Sequence, residues 1–283
     1  MKLKAFLGAT ILFIATSVLQ AKPQFGNALL FNDNWRFILS DEKDGAQPKT
    51  EDSKWRLLNL PHDWSVEGVY SPDKASATGY LPGGIAWYRK SFTVPESEKG
   101  NNVFIYFEGV YNHSEVFING QSVGKRPNGY ISFMYDLTPY LKYGEENSIA
   151  VRVDHSLDAD SRWYSGSGIY RDTYLVYSSP VHIDLWGVYF KTSNITDKKA
   201  EVSVETTINN SLTSGVNVNI RHEIIDPSSG KVIAKGSKNL EVNAKLKGTL
   251  IQTISVPSPK RWSLGNPNLY TLKTTILQNG KVI

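Results

Sequence analysis

The sequence contains no cysteine in 283 residues. Disulfide bonds are therefore excluded, and so is a lipid anchor on an N-terminal cysteine. Stability must come from burial of apolar surface. The 262 residues that follow a predicted leader are enough for one or two ordinary hydrophobic cores.

An excess of charge of one sign is also missing. The formal net charge is +4, and removal of Lys2 and Lys4 with the leader leaves 29 basic against 27 acidic residues, a net charge of about +2. Charges are interspersed, with no run of five or more. This pattern argues against a nucleic-acid partner.

Metal-binding and nucleophilic patterns are lacking as well. The five histidines are scattered, and none has further ligand residues at the spacing of a three- or four-ligand site. No Ser-His-Asp arrangement is recognisable either. The sequence thus predicts no metal site, no cofactor and no catalytic residues of its own.

Long hydrophobic runs are confined to the start of the chain. Lys2 and Lys4 precede an uncharged stretch at residues 5–19, which is short of the ~20 residues that span a bilayer. This predicts a signal peptide at residues 1–21, cleaved after Ala21, and a periplasmic or secreted bacterial protein. Leu19 is large for its position, so a cleavage site a few residues away and an uncleaved anchor remain alternatives.

A sustained helical period is absent after the leader, which predicts an all-β chain. Short apolar runs, and an Asn119-Gly120 pair typical of a type I′ hairpin, favour a jelly-roll sandwich of about eight strands at residues 22–180. Beyond a boundary near Pro180, an immunoglobulin-like sandwich is predicted at residues 181–283. Its expected strands are residues 200–208, 216–225, 231–235, 250–256 and 269–277.

The last residues predict an incomplete second sandwich. A strand at 269–277 is followed by an Asn279-Gly280 turn and only three further residues. A sandwich without its closing strand exposes unpaired backbone groups. These favour aggregation or pairing with another copy of the chain as a homo-oligomer.

Aromatic residues are plentiful, with seven Trp and fifteen Tyr, and a group of them lies in residues 151–172. Ile149, Val151 and Val153 alternate as in a half-buried strand. A polar loop carrying charged and aromatic side chains follows the strand. Flat rings beside hydrogen-bonding groups are typical of sugar sites, so this stretch is the best site candidate: Asp154, Arg162, Trp163 and Tyr164.

A second candidate loop contains Pro61-His62-Asp63-Trp64. His62 and Asp63 either hydrogen-bond backbone groups at a turn or line a ligand pocket. The glycine-rich segment at residues 78–84 lacks the spacing of a P-loop and is interpreted as a shaped loop.

Several motifs in order resemble glycoside hydrolase family 2, which includes β-galactosidases, β-glucuronidases and β-mannosidases. They are Phe107-Glu108-Gly109-Val110, Val116-Phe117-Ile118-Asn119-Gly120, Gly129-Tyr130, Asp136-Leu137-Thr138, and the run from Ser161-Arg162-Trp163-Tyr164 through Ser165-Gly166-Ser167-Gly168 to Ile169-Tyr170-Arg171-Asp172. The resemblance covers residues 27–283. The segments at 61–64 and 83–89 look most like the β-galactosidase branch.

The resemblance implies a sugar-binding jelly roll and an immunoglobulin-like sandwich, which in that family precede a (β/α)₈ barrel with two catalytic glutamates. The family's acid/base Glu follows an Asn, and no Asn-Glu dipeptide occurs here. The expected function is thus the non-catalytic N-terminal portion of a secreted β-glycosidase. Its expected partners are a β-linked glycan and the catalytic barrel. A free-standing carbohydrate-binding protein and a purely structural module are the alternatives.

The resemblance also implies roles for single residues. In family members whose first domain reaches the barrel mouth, an Asp after the strand that precedes the Ser-Gly-Ile-Tyr-Arg-Asp-like segment contacts sugar hydroxyls. Asp154 is the nearest match here, although Asp158 or Asp160 could take the role. The alternative for Asp154 is a structural role as a turn residue at the end of the strand. A salt bridge to one of these aspartates is the alternative for Arg162. Trp163 and Tyr164 could instead pack between the jelly roll and the barrel.

The chain alone is predicted not to hydrolyse glycosides, because retaining enzymes need two carboxylates about 5 Å apart and neither catalytic motif is present. Assay of the purified chain with a nitrophenyl β-galactoside should show no turnover. Activity that follows the monomer peak and disappears when a carboxylate of this chain is mutated would contradict this prediction.

Overall fold

The computed structural model describes residues 23–157, 161 and 163–283. The predicted leader, residues 1–21, lies outside this range. Within the described residues no helix is long and apolar enough to cross a membrane. The helices seen there are three 3₁₀ turns, Ser76–Thr78, Glu96–Glu98 and Thr138–Tyr140. The prediction of an all-β chain is confirmed.

Strands account for about half of the described chain. In order they are β1 (Asn27–Leu30), β2 (Trp35–Ile38), β3 (Arg56–Leu58), β4 (Gly84–Thr93), β5 (Asn102–Phe107), β6 (Ser114–Ile118), β7 (Gln121–Arg126), β8 (Phe133–Asp136), β9 (Glu146–His155), β10 (Thr173–Ser178), β11 (Val181–Ser193), β12 (Lys199–Asn210), β13 (Val216–Asp226), β14 (Lys231–Val242), β15 (Lys247–Pro257), β16 (Thr271–Gln278) and β17 (Lys281–Val282).

The first sandwich packs a four-stranded sheet, ordered β1-β10-β5-β8, against a six-stranded sheet, ordered β3-β2-β4-β9-β6-β7. Ten strands replace the eight or so expected. The additional strands β1 and β3 are short and lie at sheet edges. Their side chains are mostly exposed, so they carry no apolar alternation that the sequence could reveal.

The core of the first sandwich lies between these two sheets. Ile149, Val151 and Val153 of β9 are fully buried, as their alternation predicts. Trp35 and Tyr88 are also fully buried in this core. Burial of each large apolar side chain stabilises the fold by about 1.5–3 kcal/mol. The sheet that presents the loop after β9 is therefore firmly anchored.

Turn chemistry fixes the register of the β6–β7 hairpin. Asn119 and Gly120 have φ angles of 50° and 85°, so both central residues adopt the left-handed conformation that a type I′ turn requires. The predicted hairpin at this pair is confirmed.

The second sandwich packs the sheet β11-β12-β15 against the sheet β14-β13-β16-β17. Strand β14 is longer than the expected residues 231–235. Its further residues are largely polar and exposed, which hides the strand from an apolar pattern. At the C-terminus, β16 turns back at Asn279-Gly280, and the two residues of β17 pair with it through Leu277↔Val282 and Gln278↔Lys281.

The two sandwiches meet across a small apolar interface. Phe25 and Phe104 of the first sandwich enclose the His182 ring of β11, with ring centroids 5.7 Å and 5.5 Å away. Leu185 of β11 packs against the same cluster. The Oγ of Ser211 donates to the Oδ1 of buried Asn102 at 3.1 Å. The first residues of β11 are thus part of the first sandwich's packing.

A histidine is among the polar side chains buried in the second sandwich. His222 of β13 is fully buried, and its ring nitrogens lie 3.0 Å from the Thr274 hydroxyl and 3.4 Å from that of Thr206 in the facing sheet. Burial lowers the pKa of His222 below its ordinary value of 6.5. The neutral ring is therefore the form that fits this core.

Acidification should destabilise the fold through His222. Below pH 6.5 the unfolded chain binds a proton at this residue and the folded chain does not, so the free energy of unfolding falls with falling pH until the folded pKa is reached. For one histidine, the free energy of unfolding changes by at most about 1.4 kcal/mol per pH unit. Between pH 7.5 and pH 5, the free energy of unfolding measured with denaturant should fall less for His222→Leu than for the parent.

Ile220→Val is the matched control, because it alters the same buried strand without a titratable group. It should lower the stability and keep the parent's pH dependence. An unchanged pH dependence in His222→Leu would contradict the role given to His222.

Candidate functional site

The turn after β9 carries a partly exposed carboxylate. The Oδ1 of Asp154 accepts hydrogen bonds from the Ser156 backbone N–H at 3.1 Å and its hydroxyl at 2.6 Å. Its Oδ2 accepts from Arg152 at 3.3 Å, and Arg152 also binds Asp41 through two nitrogens. Burial alone would raise the pKa of Asp154, but the bonds from Ser156 and the charge of Arg152 hold it below its ordinary value. Asp154 is thus an ionised acceptor at neutral pH.

The ring of His62 points into the protein. It is buried, packs edge-on against Phe37 with centroids 4.6 Å apart, and places Nδ1 2.7 Å from the Tyr88 hydroxyl. Its Nε2 lies 3.3 Å from Glu67, which forms a two-bond pair with Arg56. Burial lowers the pKa of His62, and the Arg56 pair lowers the pKa of Glu67 to about 2. The ring holds the loop in place and offers little surface to a ligand.

Asp63 faces the other way and joins two loops. Its Oδ1 accepts the backbone N–H of Ser65 at 3.0 Å and that of Ser167 at 2.9 Å. Its Oδ2 accepts the hydroxyl of Tyr164 at 2.5 Å. This close approach needs Gly166, where φ is +77° and a Cβ atom would lie 2.8 Å from Asp63 Oδ2. One carboxylate therefore binds both candidate loops of the sequence.

A buried hydrogen-bond chain connects these loops to the turn of Asp154. Ser167 is fully buried, and its Oγ lies 2.6 Å from His155 Nδ1 and 2.5 Å from the Ser65 Oγ. The Ser65 hydroxyl donates to the Pro82 carbonyl at 2.7 Å. Since each hydroxyl has one proton, Ser167 donates to Ser65, and His155 donates from Nδ1 to Ser167. The chain of donors fixes the tautomer of His155 and the position of its loop.

The outer surface of this assembly is aromatic. Trp163 is 61% exposed, Tyr130 44% and Tyr164 42%. The indole N–H of Trp163 donates to the Tyr130 hydroxyl at 3.0 Å. Tyr130 in turn packs edge-on against buried Tyr111, with centroids 5.2 Å apart. The rings are thus held in place while their faces and edges remain accessible.

A small cavity of about 220 Å³ opens beside the Asp154 turn. The glycine-rich loop interpreted from sequence as a shaped loop forms one wall of it, and the turn after β9 forms the other. The lining residues are Lys74, Ala75, Thr78, Leu81, Gly83, Gly84, His155, Ser156 and Leu157. In the described part of the chain no cluster of three or more His, Asp or Glu residues could hold a metal ion.

The six candidate residues have different surroundings. Asp63 and Tyr164 are in direct contact, Trp163 lies on the same loop as Tyr164, and Asp154 belongs to the turn that His155 ties to Ser167. His62 is buried behind Asp63. Arg162, with the alternatives Asp158 and Asp160, lies outside the described residues.

Sequence reasoning gave no role to Tyr130, Ser65 or Ser167. Tyr130 meets Trp163 across 33 positions, and Ser65 meets Ser167 across 102. No local pattern marks such contacts. The glycines on either side of Ser167 allow a sharp turn of the backbone, but the sequence does not reveal the partner that needs Gly166.

Two sequence profiles match the chain and divide it between them. Residues 30–180 match "Glycosyl hydrolases family 2, sugar binding domain", and residues 181–283 match "Glycosyl hydrolases family 2". The chain belongs to glycosyl hydrolase family 2. The family resemblance expected from the motifs is confirmed.

Relatives within family 2 include enzymes named for different sugars. A β-galactosidase of Bacteroides ovatus is 45% identical over 251 residues, covering 88% of this chain and 29% of the relative. A β-glucuronidase of Formosa agariphila is 32% identical over 279 residues, covering 89% of this chain and 28% of the relative. The chain therefore spans about three tenths of the length of these relatives.

Solved structures of the family show the same arrangement of sandwiches. A family 2 member from Bacteroides cellulosilyticus superposes with a TM-score of 0.84 at 34% identity, covering 90% of this chain and 34% of that one. The chain thus corresponds to the N-terminal portion of family 2 enzymes of the β-galactosidase and β-glucuronidase kind.

Substitution of Gly166 should loosen the loop of Trp163 and Tyr164. In Gly166→Ala the methyl group meets Asp63 and the left-handed φ adds about 1–2 kcal/mol of strain, so the melting temperature should fall. The emission of Trp163, read as the difference from Trp163→Phe, should shift as the loop moves.

Gly230→Ala provides the matched control, since Gly230 has φ +67° and nothing within 4 Å of its added Cβ. It isolates the backbone strain and should leave the tryptophan emission unchanged. Equal effects of the two substitutions on stability and emission would contradict the contact with Asp63.

Proposed function

We propose that this chain acts as the non-catalytic N-terminal portion of a secreted family 2 β-glycosidase and supplies loops to its substrate pocket. The observation that carries the proposal is the Asp63 carboxylate, which holds the loop of Trp163 and Tyr164 against the rest of the first sandwich. A family profile described as a sugar binding domain covers these loops.

The exposed surface has the chemistry that sugar recognition needs. Aromatic faces at Trp163 and Tyr130 can stack on the C–H faces of a pyranose. Asp154 is an ionised acceptor for sugar hydroxyls, and its pKa below the ordinary value keeps it ionised in mildly acidic conditions. Charge-assisted hydrogen bonds of this kind are stronger than neutral ones. The loops therefore orient a β-linked glycan, and the catalytic carboxylates belong to the barrel.

Export is the second part of the proposal. It is supported by the uncharged stretch that follows Lys2 and Lys4 and by the lack of cysteine. Expression of the full chain with fractionation of the bacterial cell should place a processed form in the periplasm or medium. Its N-terminus, determined by mass spectrometry, should lie at or near Lys22.

The pocket role can be tested in a chimera. Replacing the matching 251-residue segment of the Bacteroides ovatus relative with this chain should give an enzyme that hydrolyses a nitrophenyl β-galactoside. Trp163→Ala in this chimera should raise KM about 10-fold or more, because loss of a buried stacking ring removes about 1.5–3 kcal/mol of binding.

Trp262→Ala serves as the control, because Trp262 is 59% exposed, close to the 61% of Trp163, but lies in the second sandwich. It should leave KM near the parent value. A folded, active chimera in which both tryptophan variants keep the parent KM would contradict the pocket role. Tight binding of galactosides by the isolated chain would favour a free-standing binding protein instead.

A further inference from the structure

The hydrogen bond between Asp63 and Tyr164 has a defined direction. Asp63 Oδ1 already accepts two backbone N–H groups, from Ser65 and Ser167. A carboxylate has no proton to give, so in the 2.5 Å contact at Oδ2 the Tyr164 hydroxyl is the donor. The hydroxyl proton of Tyr164 is used in this bond, so towards a ligand the Tyr164 oxygen can only accept a hydrogen bond.

The surroundings keep this hydroxyl protonated. Burial raises the pKa of Tyr164 well above its ordinary value of 10, the hydrogen bond to Asp63 raises it further, and the nearby charges of Asp63 and Tyr70 act in the same direction. Tyr164 therefore stays a neutral phenol over the whole range in which the protein would function.

In the neighbouring pair of Trp163 and Tyr130, the tyrosine accepts the hydrogen bond and does not donate it. The indole N–H of Trp163 donates to the Tyr130 oxygen, which leaves the Tyr130 proton available to donate outward. The aromatic surface thus presents one acceptor, at Tyr164, and one donor, at Tyr130.

We propose that Asp63 is a positioning residue that sets the hydrogen-bond polarity of this surface, so that a bound sugar must donate one of its hydroxyl protons to Tyr164. The inference rests on the proposed sugar-binding function and deepens it. A sugar with a fluorine or a methoxy group in place of that hydroxyl cannot donate, and it is rejected. Asp63 acts through Tyr164 and does not itself touch the sugar.

The substitution Asp63→Asn changes the direction of the hydrogen bond to Tyr164 and keeps the structure of the loop. The amide oxygen of Asn can still accept the two backbone N–H groups, and its NH₂ group can donate to the Tyr164 oxygen. The loop geometry is kept while the direction of this one hydrogen bond is reversed. The Tyr164 proton is then free to be donated to a ligand, and the acceptor surface becomes a donor surface.

The first test needs no ligand. Tyrosinate absorbance of the full chain minus that of Tyr164→Phe reports the titration of Tyr164 alone. In the parent, Tyr164 should not titrate up to pH 11. For the Asp63→Asn protein, the reference is the double variant that carries both Asp63→Asn and Tyr164→Phe. In this background Tyr164 should titrate at least one pH unit lower than in the parent, which is a tenfold change in acidity.

Asp136→Asn is the matched control, because the Oδ1 of Asp136 accepts the N–H of Thr138 two residues on, in the same kind of turn as Asp63 and Ser65. It should leave the Tyr164 titration at the parent value. Titration of Tyr164 near pH 10 in the parent would overturn the proposal even if Asp63→Asn failed to fold. So would a folded Asp63→Asn that titrates like the parent.

The second test uses the galactosidase chimera and a series of monofluorinated galactosides. The parent should lose at least tenfold in kcat/KM for one fluorinated position, and Asp63→Asn should reduce or reverse that preference. An equal response of both proteins to every fluorinated sugar would overturn the polarity claim. An inactive chimera would count against the proposed function, while the tyrosine titration would still decide the role of Asp63.

Discussion

The pairing of β4 with β9 is the constraint on which the candidate site depends. Ten residue pairs run from Gly84↔His155 to Thr93↔Glu146, at the centre of the six-stranded sheet whose inner face contributes Ala86, Tyr88, Val151 and Val153 to the core. The first of these pairs, Gly84↔His155 and Ile85↔Asp154, bring the glycine-rich loop and the Asp154 turn to the same end of the sheet. The loops of the site are attached at this end of the sheet. The buried core therefore positions the loops, although its own side chains have no chemical role.

The loops are anchored in the core through buried Trp64 and Ile169, and directed polar contacts join them to one another. Asp63 accepts the backbone N–H groups of Ser65 and Ser167, and the Ser65 hydroxyl donates to the Pro82 carbonyl. A buried polar group left without such a partner costs about 1–3 kcal/mol. Each contact also has a fixed donor and acceptor. The rigidity of the loops and the polarity of their hydrogen bonds therefore arise from the same contacts in this protein.

Much of the fold could be predicted from the sequence, because alternation and turn chemistry are local. The buried face of β9 and the Asn119-Gly120 hairpin are examples. The candidate loops could also be located, since they interrupt that alternation with polar and aromatic residues. The remainder depends on contacts between distant residues: Tyr130 against Trp163, and Ser65 against Ser167. His62 shows the same difficulty, because its sequence neighbours do not reveal that its ring turns inward to Tyr88.

The interface between the sandwiches has a consequence for how such chains can be cut or recombined. The two family profiles meet at residues 180 and 181, but His182 and Leu185 lie beyond that point and pack on Phe25 and Phe104. A cut at residue 180 would expose the apolar surface around Phe25 and Phe104 on one fragment. On the other fragment, the side chains of His182 and Leu185 would lose this packing. Because Val181 and Ile183 of the same strand pack in the core of the second sandwich, β11 serves both cores, and the two sandwiches form one unit for exchange between related proteins.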